Sequence, residues 1–229
     1  MTETTLGRRC VAEAFATFAL VFAGCGAIVV NSERGGSLGA AGIAVSFGLV
    51  IMVMIYATGH VSGAHINPAV TIAFTATRHF PRREALVYIP SQVVGAVAAA
   101  ATLRIAWEGT PANLGATVPS VGVGAGLLYE FVMTGLLMFV IMAVATDTRA
   151  VGAAAAIAIG GTVAVDALFG GGVTGASMNP ARSFGPALLA SEWTAFWIYL
   201  IAPVTGAMAG AWLYGRVRQP SVVPVVDRD

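Results

Sequence analysis

Residues 61–70 of this chain read VSGAHINPAV, and residues 173–182 read VTGASMNPAR. The two stretches share their small residues and an Asn-Pro-Ala triplet, but one ends in Val70 and the other in Arg182. Asn is a strong helix N-cap and Pro suits the first helical position, so each stretch predicts the start of a helix. The apolar run that follows is only about ten residues, which is too short to cross a bilayer. We therefore expect two half-helices.

The composition indicates that most of the chain lies in lipid. Of its 229 residues, 57% are hydrophobic and 10% are charged, and the mean hydropathy is +0.82. Soluble domains carry about 25% charged residues. Apolar stretches long enough to span a bilayer occupy 9–30, 39–58, 84–106, 122–146, 151–169 and 193–216. The sequence therefore predicts an all-α membrane protein with six transmembrane helices.

The arginines predict how the chain is oriented, because cytoplasmic segments carry an excess of basic residues. With the N-terminus inside, only Arg34 and Arg104 lie near the outer face. The cytoplasmic set is Arg8, Arg9, Arg78, Arg82, Arg83, Arg149, Arg216, Arg218 and Arg228. We expect a multi-pass protein of the cell membrane, plasma or inner, with both termini cytoplasmic. The net charge of +1 gives no reason to expect a nucleic-acid partner.

The chain repeats itself beyond the two quoted stretches. Three residues of the first span recur in the fourth at the same spacing: Glu13, Thr17 and Phe22 return as Glu130, Thr134 and Phe139. We interpret the chain as one channel domain, 1–229, made of two repeats, 1–117 and 118–229. Each repeat has three spans, an odd number, so the second is inverted. The half-helices then enter from opposite faces, and their N-termini meet near the midplane.

The residues before each Asn-Pro are expected to be extended, because non-helical backbone at membrane depth is tolerated where it lines a wet cavity. The predicted cavity-lining carbonyls belong to Gly63, Ala64, His65, Gly175, Ala176 and Ser177. Two acids at equivalent repeat positions, Glu13 and Glu130, are interpreted as acceptors for the loop backbones. A proton relay is the alternative for these acids. His65 could also orient or gate its loop.

The segments GHVSGAHINPAVT (59–71) and TGASMNPARSFGPAL (174–188) resemble the two signature segments of the aquaporin family, the major intrinsic proteins. ATDTRAVG (145–152) and FGGGVTGASMNPARSFGPA (169–187) are most similar to the nodulin-26-like branch and its bacterial relatives. The resemblance implies a homotetramer with one pore per subunit, passing water or small neutral solutes without a cofactor or metal. It implies a central constriction at Asn67, Pro68, Ala69, Asn179, Pro180 and Ala181.

The same resemblance implies a selectivity filter of Phe47, Ala167, Ala176 and Arg182, found by distance from the two asparagines. An Arg inside the membrane costs about 2.5–3.5 kcal/mol, so we expect a function for Arg182. Strict water channels have His where this chain has Ala167, and the smaller residue predicts a wider pore. Glycerol, urea and metalloid hydroxides such as arsenous or boric acid would fit. Other positions disagree, because Ser183 stands where the glycerol facilitators have Asp, and the pair Phe196-Trp197 follows the water-type pattern.

Several alternatives remain at this point. A strict water channel is the main one, and an ion channel or ion-coupled transporter is a distant one, because the single pore arginine repels cations. An enzyme is not expected, since no nucleophile is spaced for pairing with a base. Asp166 could face a subunit contact or the outer vestibule. Gly170, Gly171 and Gly172 predict freedom in the second loop.

Overall fold

The computed structural model describes residues 4–147 and 154–218, and it is all-helical in these ranges. The helices are α1 (Leu6–Glu33), α2 (Gly39–Ser62), α3 (Pro68–Ala76), α4 (Arg82–Ala106), α5 (Val123–Thr146), α6 (Ala155–Thr174), α7 (Pro180–Ala190) and α8 (Ile198–Val217). A short 3-10 segment, Pro111–Gly115, lies between α4 and α5. Six helices are long and apolar enough to cross a membrane, whereas α3 and α7 have 9 and 11 residues. The expected all-α fold with six spans is confirmed.

The largest differences from the predicted spans lie at the end of α6 and at the start of α8. Helix α6 runs to Thr174 and so includes the glycine triplet 170–172, which is helical and not part of the loop. The conformational freedom of glycine is used at Gly175, whose φ of +85° ends the helix as its N–H bonds to Gly171 O. Helix α8 starts at Ile198 because residues before it form successive turns. Arg149 and Arg228 lie outside the described residues.

Glycines let the long helices pack with their backbones in close contact. Helix α2 crosses α6 at Gly48 and Gly160, where a Cβ on either residue would lie 2.5 Å from the other's carbonyl oxygen. Gly95 brings α4 onto α1 beside Ala14, and Gly206 brings α8 onto α5 beside Phe131. Small residues at helix contacts are the usual way to pack helices in lipid. The pair α1 and α4 is therefore matched by the pair α5 and α8.

Apart from Arg182, the described arginines lie near one end or the other of the helix bundle. Arg9 pairs with Glu84 at 2.6 Å, so the start of α1 meets the start of α4. Arg218 lies 3.5 Å from Asp147, so the end of α8 meets the end of α5. At the opposite ends of these two helices, Arg34 caps the end of α1 and Arg104 lies in the last turn of α4. The asymmetry predicted from the sequence thus exists in the fold, and which end is cytoplasmic stays a prediction.

Candidate functional site

The two Asn-Pro pairs begin the two short helices. Asn67 has an extended backbone (φ −151°), and its Oδ1 accepts the N–H of Ala69 at 2.8 Å. Asn179 has the same φ, and its Oδ1 accepts the N–H groups of Ala181 and Arg182 at 3.0 and 3.2 Å. Because each amide oxygen caps a helix, the amide nitrogen is turned away from that helix. Pro68 and Pro180 occupy the first helical position, where a missing N–H costs nothing.

The amide nitrogens cross between the loops. Asn67 Nδ2 donates to Met178 O at 2.7 Å, and Asn179 Nδ2 donates to Ile66 O at 2.8 Å. Each amide has two N–H groups, and these bonds use one. Both asparagines line the same internal cavity, which leaves the second N–H of each for a molecule inside it. The N-termini of α3 and α7, with their positive dipole ends, therefore face each other at one place.

Glu13 on α1 binds the first loop from behind. It is fully buried, and its two carboxylate oxygens accept the N–H groups of His65 at 2.9 Å and Ile66 at 2.7 Å. The hydroxyl of Ser62 donates to it at 2.7 Å, and Gln92 Nε2 donates at 2.8 Å. With four donors on it, the carboxylate serves as an anchor for backbone that would otherwise be unpaired in the membrane.

Glu130 on α5 makes the corresponding bonds to the second loop. It accepts the N–H groups of Ser177 and Met178, both at 2.8 Å, and the hydroxyl of Thr174 at 2.7 Å. Among the described residues Glu130 has no fourth donor, because α8 has Pro203 where α4 has Gln92. The two acids thus contact equivalent backbone atoms, but Glu130 is held by fewer side chains.

These bonds determine where the loop carbonyls point. Within a trans peptide unit, the C=O of one residue and the N–H of the next point in opposite directions. The N–H groups of 64, 65 and 66 all bond to Ser62 and Glu13, so the three preceding carbonyls point away from α1. The second loop repeats this with Thr174 and Glu130. The carbonyls so directed are those of Gly63, Ala64, His65, Gly175, Ala176 and Ser177, and all six residues except Gly175 line the cavity.

The sequence predicts extended loops before each Asn-Pro, but the loops contain four non-glycine residues with positive φ. Ala64, Ile66, Ala176 and Met178 have φ values of +48°, +57°, +42° and +52°. In a regular strand, successive carbonyls would alternate in direction, whereas these loops keep consecutive carbonyls on one side. A non-glycine residue in the left-handed region costs of order 1–3 kcal/mol, and such strain persists only where surrounding contacts over-determine it. The two glutamates supply those contacts.

One cavity of about 120 Å³ joins these parts. The predicted filter residues Phe47, Ala167, Ala176 and Arg182 all line it, together with both asparagines. Its opposite wall is aliphatic and includes Leu137, Ile141 and Val163. The structure therefore brings the predicted residues together along one path with a polar side and an apolar side.

Arg182 projects into this cavity although it is only 1% exposed. Its Nη1 donates to Gly115 O at 2.8 Å, and its Cζ lies 4.9 Å from the ring centroid of Phe47. Its Nε and Nη2 are buried and have no protein partner among the described residues. Because a buried guanidinium nitrogen needs an acceptor, these atoms are available to a molecule in the cavity. Sequence reasoning did not identify Gly115, since no motif marks it.

Sequence reasoning also missed a buried chain of hydroxyl groups behind the second loop. Thr117 Oγ1 lies 2.7 Å from Ser183 Oγ, which lies 2.5 Å from Ser177 Oγ. Ser177 Oγ in turn donates to Asn179 O at 2.9 Å. These hydroxyl groups thus connect the segment before α5 to the second loop by hydrogen bonds. The sequence marks Ser183 only through the family pattern, and nothing in the sequence singles out Thr117.

His65 lines the cavity on the α3 side. Its ring packs against Phe74, Phe80 and Tyr88, and its Nδ1 lies 3.1 Å from Thr71 Oγ1. This surrounding aromatic shell fixes the ring in one place at the wall. Within residues 4–147 and 154–218, no cluster of three His, Cys, Asp or Glu side chains could bind a metal ion.

Asp166 fits neither location considered from the sequence. It is 1% exposed, so it lies inside the subunit and not on a face where another subunit could dock. It is also not among the residues that line the cavity. Its Oδ2 is buried without a hydrogen-bond partner in the part of the chain that the structure describes.

Comparisons with known proteins agree with this geometry. The family model described as Major intrinsic protein matches residues 1–214. Nodulin-26 of Glycine max is 50% identical over 211 residues, which cover 92% of this chain and 78% of that protein. Aquaporin NIP1-1 of Oryza sativa subsp. japonica is 46% identical over 211 residues, covering 92% and 74%. An aquaglyceroporin structure from Plasmodium falciparum matches with a TM-score of 0.83 at 26% identity, covering 93% of this chain and 97% of that one.

Proposed function

Since the chain belongs to the major intrinsic protein family, whose members are membrane channels and not enzymes, we propose that its cavity passes glycerol, urea and undissociated metalloid hydroxides as well as water. The observation that carries this proposal is the filter wall. Ala167 and Ala176 present methyl groups to the cavity, where an imidazole at 167 would fill space and add a donor. Arg182 offers two free donor nitrogens to the polar edge of a solute, and the Phe47 ring faces the bulky part of the same solute.

Ions and protons are excluded by the same residues. Arg182 and the positive ends of α3 and α7 repel cations. The free N–H groups of Asn67 and Asn179 turn the oxygen of a central water toward both asparagines. The hydrogens of this water then cannot pass a proton along the single row of water molecules in the pore. The loop carbonyls accept the hydrogen bonds that a solute gives up when it leaves bulk water. Passage is therefore passive, downhill and limited to neutral molecules, with no cofactor.

The proposed assembly is a homotetramer in the cell membrane, with both termini cytoplasmic and two inverted repeats, 1–117 and 118–229. The repeats are supported by the matched bonds of Glu13 and Glu130 to equivalent loop amides. The orientation is supported by the arginine-rich end of the bundle.

Stopped-flow light scattering on proteoliposomes tests the solute range. Wild type is expected to pass water, glycerol and arsenous acid, and Ala167→His is expected to keep water flux and lose the larger solutes. Leu168→His is the matched control, because it adds the same ring one residue along on an exposed position outside the cavity. A wild type that passes water alone would establish the second candidate, a strict water channel, which Ser183 and Phe196-Trp197 favour.

A further inference from the structure

The turn between α3 and α4 forms a second pocket, separate from the channel. It measures about 460 Å³ and is lined by Thr75, Arg78, His79, Phe80, Pro81 and Arg82. It lies at the arginine-rich end of the bundle, at the start of the long helix α4. We propose that this pocket binds the phosphate group of an anionic phospholipid.

The two arginines at the pocket have no partner within residues 4–147 and 154–218. Arg78 and Arg82 are exposed, and neither makes an ion pair or a side-chain hydrogen bond to any described residue. Glu84, the acid that follows them, is already paired with Arg9 at 2.6 Å. His79 Nδ1 lies 3.0 Å from Thr77 Oγ1, which leaves its Nε2 for an outside group. Two uncompensated guanidinium groups in one concave site suit a phosphate, which accepts bidentate hydrogen bonds from arginine.

The pocket is shaped before any ligand arrives. Arg78 has a φ of +63°, in the left-handed region that side-chain-bearing residues seldom adopt. Its N–H bonds to Thr75 O at 3.2 Å, and the N–H of His79 bonds to Phe74 O at 2.8 Å, so the turn that presents Arg78 is hydrogen-bonded to the end of α3. Beneath it, the buried ring of Phe80 packs 4.6 Å from that of Tyr88.

The surroundings favour a lipid over a soluble phosphate. Leu86 lies one helical turn after Arg82 on the same face of α4 and is 76% exposed. A phosphate at Arg82 would therefore place an acyl chain along Leu86, whereas a free phosphate would leave that apolar surface uncovered. The arginine distribution predicts that this end faces the cytoplasmic leaflet, where anionic lipids attract basic residues.

Native mass spectrometry of the full-length protein in detergent tests the site, with phosphatidylglycerol and phosphatidylcholine of the same acyl chains as probes. Wild type is expected to retain phosphatidylglycerol in preference. Arg78→Gln and Arg82→Gln are each expected to raise its apparent Kd about fivefold or more, the contribution typical of one arginine near an anionic surface. Arg82→Lys keeps the charge but loses the bidentate geometry, so its apparent Kd is expected to lie between those of wild type and Arg82→Gln.

Arg83→Gln is the matched control, because Arg83 is also exposed, is next to Arg82 and does not line the pocket. A change of less than twofold is expected. An equal loss for Arg83→Gln would mean a diffuse positive field and overturn the site, as would equal retention of the two lipids. Displacement of phosphatidylglycerol by inorganic phosphate at equal concentration would overturn the lipid as its ligand, and resistance to it would support the lipid.

Discussion

Asn67 and Asn179 each hold the other's loop in place. The amide of Asn67 donates to the carbonyl just before Asn179, and the amide of Asn179 donates to the carbonyl just before Asn67. Each asparagine at the same time caps its own half-helix. The centre of the proposed pore is therefore one cooperative unit made by both loops, and neither loop could form it alone.

Asn67→Asp should open the channel to cations. The aspartate keeps an oxygen to cap α3 but loses both N–H donors, and it places a negative charge beside the opposed helix N-termini. Met178 O loses its partner, which costs about 1–3 kcal/mol when the carbonyl is buried. We expect a faster sodium or proton leak in dye-loaded proteoliposomes. Asn31→Asp is the control, since the Asn31 side chain accepts N–H bonds through Oδ1 at a partly exposed turn far from the two Asn-Pro pairs in sequence. An unchanged leak would contradict the role given to Asn67.

Glu130→Gln should destabilise the second loop. One of the two carboxylate oxygens becomes an NH₂ group, which cannot accept the N–H of Ser177 or Met178. Leaving a buried amide without its acceptor costs about 1–3 kcal/mol of stability, and each kcal/mol lowers the melting temperature by about 2–4 °C. We therefore expect a lower melting temperature in detergent and a reduced water permeability. Glu33→Gln removes an exposed acid and serves as the control. If Glu130 were a proton relay instead, the variant would lose proton flux while keeping its stability.

Two neighbouring glycines of α6 should behave differently on mutation to alanine. A Cβ at Gly160 would lie 2.5 Å from Gly48 O and 2.8 Å from Met52 Cβ, so α2 and α6 would have to separate. At Gly161 a Cβ meets nothing within 4 Å. Gly160→Ala is expected to lower the melting temperature and the yield of folded protein, while Gly161→Ala is neutral or slightly stabilising. Equal effects on thermal unfolding would show that the helix contact is looser than described.

Ser183→Ala should weaken the link between the segment before α5 and the second loop. It removes the middle hydroxyl between Thr117 and Ser177, both buried, so each of them loses a partner. We expect a loss of about 1 kcal/mol in stability and an altered ratio of glycerol to water permeability, because the Ser177 carbonyl lines the cavity. Ser46→Ala removes a hydroxyl that bonds only to its own helix at Gly42 O. That control should leave the permeability ratio unchanged.

Much of the fold follows from local properties of the sequence. Hydropathy locates the six spans because a bilayer demands long apolar helices with all backbone groups paired internally. The starts of α3 and α7 follow from Asn-Pro, whose capping chemistry involves neighbouring residues only. The errors occurred where tertiary packing decided the outcome, as at the glycine triplet. There Gly170 packs close to Met133 of α5, and the helix continues through the triplet.

The sequence by itself determined the solvent, the number of spans, the paired half-helices and the presence of a lone arginine beside the second Asn-Pro-Ala. Only the tertiary structure decided what that arginine touches. Gly115 and Phe47 reach Arg182 from other parts of the chain, and Thr117 reaches Ser183 in the same way. Such contacts depend on how helices cross, and helix crossing depends on the summed packing of many small residues. No short motif encodes that sum, so it becomes visible only when the chain is folded.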